Sequence, residues 1–189
     1  MTERASYGVD VAGIKRDLPL FEVAPGVRIA ILNILGDTEL VNAAADALSE
    51  RVAAFGADVL VTAETKSIPL VHELAERLGL PYVVLRKQYR PYMGNALEVE
   101  TLSITTGVPQ TLYLDEKDRD LLNGKRVVLV DDVISTGSTL EAMRRVVQEA
   151  GGKTVAEAAV FTEGDKAQWQ EIIALGHLPV FTDDASPRS

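Results

Sequence analysis

At 189 residues, 47% of them hydrophobic and none cysteine, the chain has the length of one domain and lacks a disulfide framework, a thiolate metal site and a thiol nucleophile. A formal net charge of −9 weighs against non-specific nucleic-acid binding, which rests on cations meeting phosphates. No apolar run reaches the roughly 18–20 residues of a membrane-spanning helix and Met1-Thr2-Glu3-Arg4 leads into no signal-peptide core, so a single cytoplasmic domain over residues 1–189 is expected, with neither membrane nor nucleic acid as partner.

Residues 1–26 read as a polar start, a short strand over 18–23 and a turn at Pro25-Gly26. The mostly aliphatic stretch 27–35 predicts a strand running into Gly36-Asp37. Asp37 or Thr38 then caps a helix whose Leu40, Val41, Ala44, Leu48 and Val52 fall at spacings of three and four, and Gly56 ends it. Residues 58–63 form the next buried strand, followed by Glu64-Thr65-Lys66-Ser67. A second helix starts near Pro69, whose missing N–H costs nothing in a first turn; Leu70, Leu74 and Leu78 mark its buried stripe and Gly79 its C-cap. With a third strand over 81–85, strand and helix alternate across 27–85, the pattern of an α/β fold with an open, mainly parallel twisted sheet flanked by helices.

Residues 86–124 break that rhythm. The stretch 88–95 holds two aromatics, a proline and a glycine without periodicity, while 97–105 and 109–114 alternate like strands, so an extended loop or hairpin leaves the sheet and reads as a lid. Between Arg77 and Leu97 stand Arg86, Lys87 and Arg90 and no acid, in a chain carrying 28 acidic residues, which marks where a small polyanion would be steered.

The run Val127-Val128-Leu129-Val130 is that of a strand buried on both faces. Asp131 and Asp132 follow, then Val133-Ile134, then Ser135-Thr136-Gly137-Ser138-Thr139, and Leu140, Met143 and Val147 continue at helical spacing to Gly151-Gly152. A hydroxyl-rich loop at a helix N-terminus offers backbone N–H groups and the positive end of the helix dipole to a phosphate, although the same residues also serve ordinary turns and caps. Capping needs one acid only. Two adjacent carboxylates repel each other and suit either hydrogen bonds to two vicinal hydroxyls or a divalent cation. Beyond them, 154–161 reads as a last long strand, 169–175 around Trp169 as a short amphipathic piece, 178–181 as a strand and 183–189 as a polar tail. Gly151-Gly152-Lys153-Thr154 lacks the earlier glycine of a nucleotide-binding P-loop, Val147 standing there, and His72 and His177 lack the company of a metal site.

The thirteen residues Val127 to Thr139 resemble the phosphoribosyl-pyrophosphate signature of type I phosphoribosyltransferases. More weakly, Arg16-Asp17-Leu18-Pro19, Pro25-Gly26 and Arg86-Lys87 resemble segments of the adenine enzymes. The resemblance implies that Asp131 and Asp132 hold the ribose 2′ and 3′ hydroxyls and, through the bound donor, Mg²⁺. It implies that Val133, Ile134, Ser135, Thr136, Gly137, Ser138 and Thr139 complete the donor-binding segment, with the loop on the 5′-phosphate. Glu64, Thr65, Lys66 and Ser67 would form the pyrophosphate loop, and Lys66, Arg86 and Lys87 would stabilise the leaving group. A Mg²⁺-dependent homodimeric enzyme is implied, transferring phosphoribosyl from phosphoribosyl pyrophosphate to a purine, adenine ranked first. The sequence departs from the adenine enzymes at Ile29-Ala30-Ile31, where they carry Phe-Lys-Asp with the Phe stacking on the base, at Thr65-Lys66-Ser67 in place of Ser/Ala-Arg-Gly, and over 90–95. The phosphoribosyl half of the site is intact and the base half is not. That leaves a second reading, a non-catalytic regulator of purine metabolism that binds the donor; relatives of that kind carry an added DNA-binding domain, for which the residues before Val27 are too few.

Overall fold

Alternate residues of the signature strand divide between two apolar cores: Val128 and Val130 lie in one, Val127 and Leu129 in the other. Only a sheet covered on both faces does that. The computed structural model describes residues 5–102 and 109–182, and its elements run β1 (Ser6–Val11), β2 (Ile14–Ala24), β3 (Val27–Ala30), α1 (Thr38–Val52), β4 (Val59–Ala63), α2 (Ile68–Leu78), β5 (Tyr82–Leu85), β6 (Leu97–Leu102), β7 (Pro109–Leu114), α3 (Arg119–Leu122), β8 (Arg126–Ile134), α4 (Ser138–Glu149), β9 (Lys153–Glu163), β10 (Ile173–Leu178) and β11 (Phe181–Thr182).

A five-stranded sheet of order β10-β9-β8-β4-β5 forms the centre, every neighbouring pair parallel. β4 is buried along its whole length, and each fully buried Val or Leu there contributes roughly 1.5–3 kcal/mol. Helices α1 and α2 cover one face through Leu40, Ala44, Leu48, Leu70 and Leu74. On the other, α4 packs with Met143, Val146 and Val147, joined by Val99, Leu112 and Leu114 of the β6–β7 hairpin. The expected hairpin is therefore present, but its strands are fixed in a core, and the Arg145 guanidinium donates to the Glu100 carbonyl oxygen at 3.0 Å. Residues 103–105 of the predicted strand 97–105, the tail 183–189 and the first four residues lie outside the described residues.

Three expectations change near the termini. The polar start contains β1, paired antiparallel with β2, and β2 is longer than the predicted strand 18–23. The strand predicted over 27–35 ends at Ala30, because β3 has neighbours only in a second, four-stranded sheet of order β1-β2-β3-β11. The amphipathic piece around Trp169 is a 3₁₀ turn over Lys166–Trp169, followed by β10, which pairs with β9 from Ile173↔Ala158 onward; the predicted strand 178–181 divides between β10 and β11. The small sheet is latched to α1 by Arg16, whose guanidinium meets Asp37 at 2.7 and 2.8 Å and Glu39 at 2.8 Å. Asp37 also caps α1 as expected, accepting from the Leu40 N–H at 3.2 Å, and the Arg16 bond holds its carboxyl below the usual range.

Candidate functional site

From β4 the chain steps outward to β5 and returns as β8 on the other side of β4. The carboxyl ends of β4 and β8 thus flank a topological switch point, where open parallel sheets bind ligands. All the predicted site residues follow the ends of three adjacent strands: 64–67 after β4, 86–87 after β5, and 131–139 at the end of β8 and beyond.

The first group is brought onto the acid pair. The Ser67 hydroxyl donates to Asp131 Oδ1 at 2.7 Å and accepts from the Asp132 N–H at 2.9 Å. That N–H also donates to Asp131 Oδ1 at 2.9 Å, so Asp131, Asp132 and buried Ser67 form one closed knot. Lys66 Nζ stands 3.3 Å from Asp132 Oδ2 and 3.3 Å from the Leu32 carbonyl oxygen. Asp132 Oδ2 has no hydrogen-bond partner among the described residues, so its contact with Lys66 is a charge contact. Burial first, and the charge of Asp132 second, push the Asp131 carboxyl up from 3.8 to about 7, against the opposing Ser67 bond.

This has a sign in the ligand-free protein. Between the unfolded value of 3.8 and the folded value of about 7, Asp131 holds a proton in the folded chain that the unfolded chain has lost, so its contribution to stability falls as pH rises through that window. Asp131→Asn is expected to melt higher than the wild type at pH 8, with the gap closing towards pH 4. Paired thermal melts across that range check it; a gap independent of pH would contradict it.

Glu64 points away from the acids. Its carboxylate lies 2.5 Å from Arg86 Nε and accepts from the Lys87 N–H at 2.6 Å, and the Glu64–Thr65 peptide is cis. Arg86 is further held by its backbone, which exchanges hydrogen bonds with Tyr113 of β7 at 2.9 and 2.8 Å. Glu64 therefore holds Arg86 and the backbone at Lys87, and the Lys87 side chain is exposed. Thr65 is exposed on the same loop.

Beyond Ile134, residues 135–139 wrap a small hollow; Gly137 at the N-cap of α4 has no side chain to cap it, and Thr136 Oγ1 accepts from the Ser138 N–H at 3.4 Å. Gly137 takes φ 76°, a left-handed value that glycine adopts without strain. Thr136 and Ser138 hydroxyls lie 3.0 Å apart, and Thr139 Oγ1 accepts from Gln110 Nε2 of β7 at 3.1 Å. Backbone N–H groups, hydroxyls and a helix dipole in one loop are the groups that suit an anion. Gln110, the Leu32 carbonyl and Trp169, whose ring lies against Gly137, are the neighbours that the sequence reading missed; each meets the site through the fold, and no local motif marks them.

The two carboxylates fit a cation whose remaining ligands come from a bound substrate: no cluster of three metal-binding side chains occurs among the described residues, and Lys66 already faces one Asp132 oxygen.

Fold and site define a phosphoribosyltransferase-type domain. The phosphoribosyl transferase domain model matches residues 31–174, and the chain belongs to that family. It is 38% identical over 130 residues, 68% of this chain and 64% of the relative, to the hypoxanthine/guanine phosphoribosyltransferase of Methanosarcina mazei. It is 30% identical over 142 residues, 75% of this chain and 51% of the relative, to the purine biosynthesis transcriptional activator PurR of Lactococcus lactis. The chain thus spans about half to two thirds of the length of these curated relatives. Among solved structures it resembles the adenine phosphoribosyltransferase of Rhodothermus marinus, with a TM-score of 0.64 at 24% identity over 92% of this chain and 94% of that one, which shows the type I fold.

Proposed function

We propose that the protein is a purine phosphoribosyltransferase. The observation that carries the reading is the knotted acid pair at the end of β8 running straight into the hydroxyl-rich loop at the N-terminus of α4. Asp131 and Asp132 accept hydrogen bonds from the ribose 2′ and 3′ hydroxyls, and 135–139 hold the 5′-phosphate. A ring nitrogen of the base bonds to C1 as the bond from C1 to pyrophosphate breaks, the electron pair leaving with pyrophosphate and the nitrogen's proton passing to solvent. Positive charge gathers on the ribose and negative charge on the departing group, which Lys66, Lys87 and the Glu64-held Arg86 stabilise. Mg²⁺ on the donor, held through Asp131 and Asp132, supplies further charge neutralisation when bound. The 88–105 segment excludes water that would hydrolyse the donor. A cytoplasmic homodimer is the setting we assign; no helix among the described residues is long and apolar enough to cross a membrane.

Among purines we rank adenine first, on Arg16-Asp17-Leu18-Pro19 and Arg86-Lys87; the 6-oxopurines compete, given the name of the Methanosarcina relative. Pyrophosphate release from phosphoribosyl pyrophosphate and Mg²⁺, with adenine, hypoxanthine, guanine, xanthine, uracil and orotate offered separately, tests this. Turnover with a purine is expected; turnover confined to a pyrimidine would overturn it. The likeness to the Lactococcus activator favours a second reading, a donor-binding regulator without chemistry, and donor binding with no base turned over would select it.

A further inference from the structure

Trp169 is the chain's only tryptophan, and it lies 32 residues beyond Gly137 in sequence yet against it in space. A Cβ built on Gly137 would stand 2.8 Å from the Trp169 ring, so the indole closes the side of the phosphate loop on which a side chain would otherwise project. The indole is itself fixed. Its Nε1–H donates to the Glu163 carbonyl oxygen at 2.9 Å, where β9 ends, and its ring packs on the core beneath α4. The connection that carries it is tied where it leaves β9: Asp165 accepts from the Ala167 N–H at 2.9 Å, and His177 of β10 bridges the Thr162 hydroxyl at 2.9 Å and the Gly164 carbonyl at 3.1 Å.

Glycine at 137 gives the loop its left-handed turn; within the loop the Thr136 and Ser138 hydroxyls, 3.0 Å apart, span that turn, and the indole packs against it from outside. From this packing we infer that Trp169 is a positioning residue for the 5′-phosphate of the donor: its ring sets the loop 135–139 from behind, so that the loop's N–H and hydroxyl groups converge on one anion. The inference rests on the proposed function of that loop. It assigns specificity for a 5′-phosphorylated ribose to a side chain that touches neither the acid pair nor the pyrophosphate loop, and it makes tryptophan emission a built-in reporter of 5′-phosphate occupancy.

The test is titration of the full chain with ribose 5-phosphate and, separately, with pyrophosphate, followed by emission in the wild type and by calorimetry in all proteins, for Trp169→Phe and Trp169→Ala. In the wild type, ribose 5-phosphate is expected to shift emission saturably and pyrophosphate to leave it unchanged. Trp169→Ala is expected to weaken ribose 5-phosphate about tenfold and pyrophosphate less than about twofold, with KM for the donor raised far more than kcat falls, and Trp169→Phe to fall between. Gly137→Ala, which drives a methyl into the ring, is expected to bind ribose 5-phosphate better in the Trp169→Ala background than alone. Unchanged ribose 5-phosphate affinity in both Trp169 variants, or equal loss of both ligands in Trp169→Phe, would overturn the role of Trp169 while leaving the phosphate loop standing. A wild type that binds no ribose 5-phosphate would overturn the loop's proposed function and this inference with it.

Discussion

Replacing Asp131 and Asp132 together by asparagine is expected to abolish phosphoribosyl transfer, by at least about 10³-fold, while leaving a folded protein. Both halves of that outcome come from the same geometry. Two carboxylates, one of them buried, sit side by side, with half-exposed Lys66 3.3 Å from Asp132, an arrangement a fold does not need for its own sake. Asparagine keeps the shape and an acceptor oxygen but removes the charge that holds the donor's hydroxyls and its cation. Removing the charges at the end of β8 also relieves the burial cost and the like-charge repulsion that push Asp131 up, so the double variant is expected to melt no lower than the wild type at pH 8. Pyrophosphate release and thermal melts read the two halves. Undiminished turnover would sink the assignment of the acids; should the double variant be insoluble, the single Asp131→Asn variant carries the same activity test.

Lys66→Ala is expected to lower kcat/KM about 10²-fold, by removing a cation from the path of the leaving group. Among the described residues Lys66 Nζ meets Asp132 and the Leu32 carbonyl, each at 3.3 Å, and neither binds it closely. A half-exposed lysine at 3.3 Å is free to turn towards an arriving pyrophosphate, whose charge exceeds that of one carboxylate. The diagnostic is therefore a split: pyrophosphate affinity is expected to fall at least about tenfold and ribose 5-phosphate affinity to stay within about twofold, with Lys66→Arg recovering part of the loss. Equal loss of both ligands would instead make Lys66 a prop for the acid pair.

Much of the central sheet was legible because its strands are short apolar runs bounded by turn residues. Val59 to Ala63 and Val127 to Val130 are buried on both faces, and helices α1 and α2 announce themselves through stripes and caps at Asp37 and Gly79. The small antiparallel sheet was harder to see. β1 has half its residues exposed, and its hairpin turns on Ala12-Gly13, with φ 51° and 89°, in place of the usual Asn-Gly. β10 was misread because Ile172, Ile173 and Leu175 satisfy helical spacing as well as strand alternation; only pairing with β9 decides it.

The site divides the same way. The acid pair and phosphate loop are contiguous, and a contiguous pattern is readable. What Ser67 does is not: its bond to Asp131 spans 64 residues and exists because β4 and β8 are neighbours in register Val59↔Val127. Glu64 and Arg86 stood in the sequence as two contributors to one anion site, and the structure pairs them with each other at 2.5 Å. Trp169 stood in the sequence as part of a short amphipathic piece, and the structure places its ring against Gly137.

Calorimetric titration of the wild type with phosphoribosyl pyrophosphate, with and without Mg²⁺ and with no base present, is the most direct measurement. Saturable one-to-one binding that strengthens with Mg²⁺ and is lost in the Asp131→Asn, Asp132→Asn double variant is the expected result, whether or not a base is later turned over. Absence of binding, or binding that the double variant retains unchanged, would contradict the assignment of the β8 acids and the loop that follows them as the donor site.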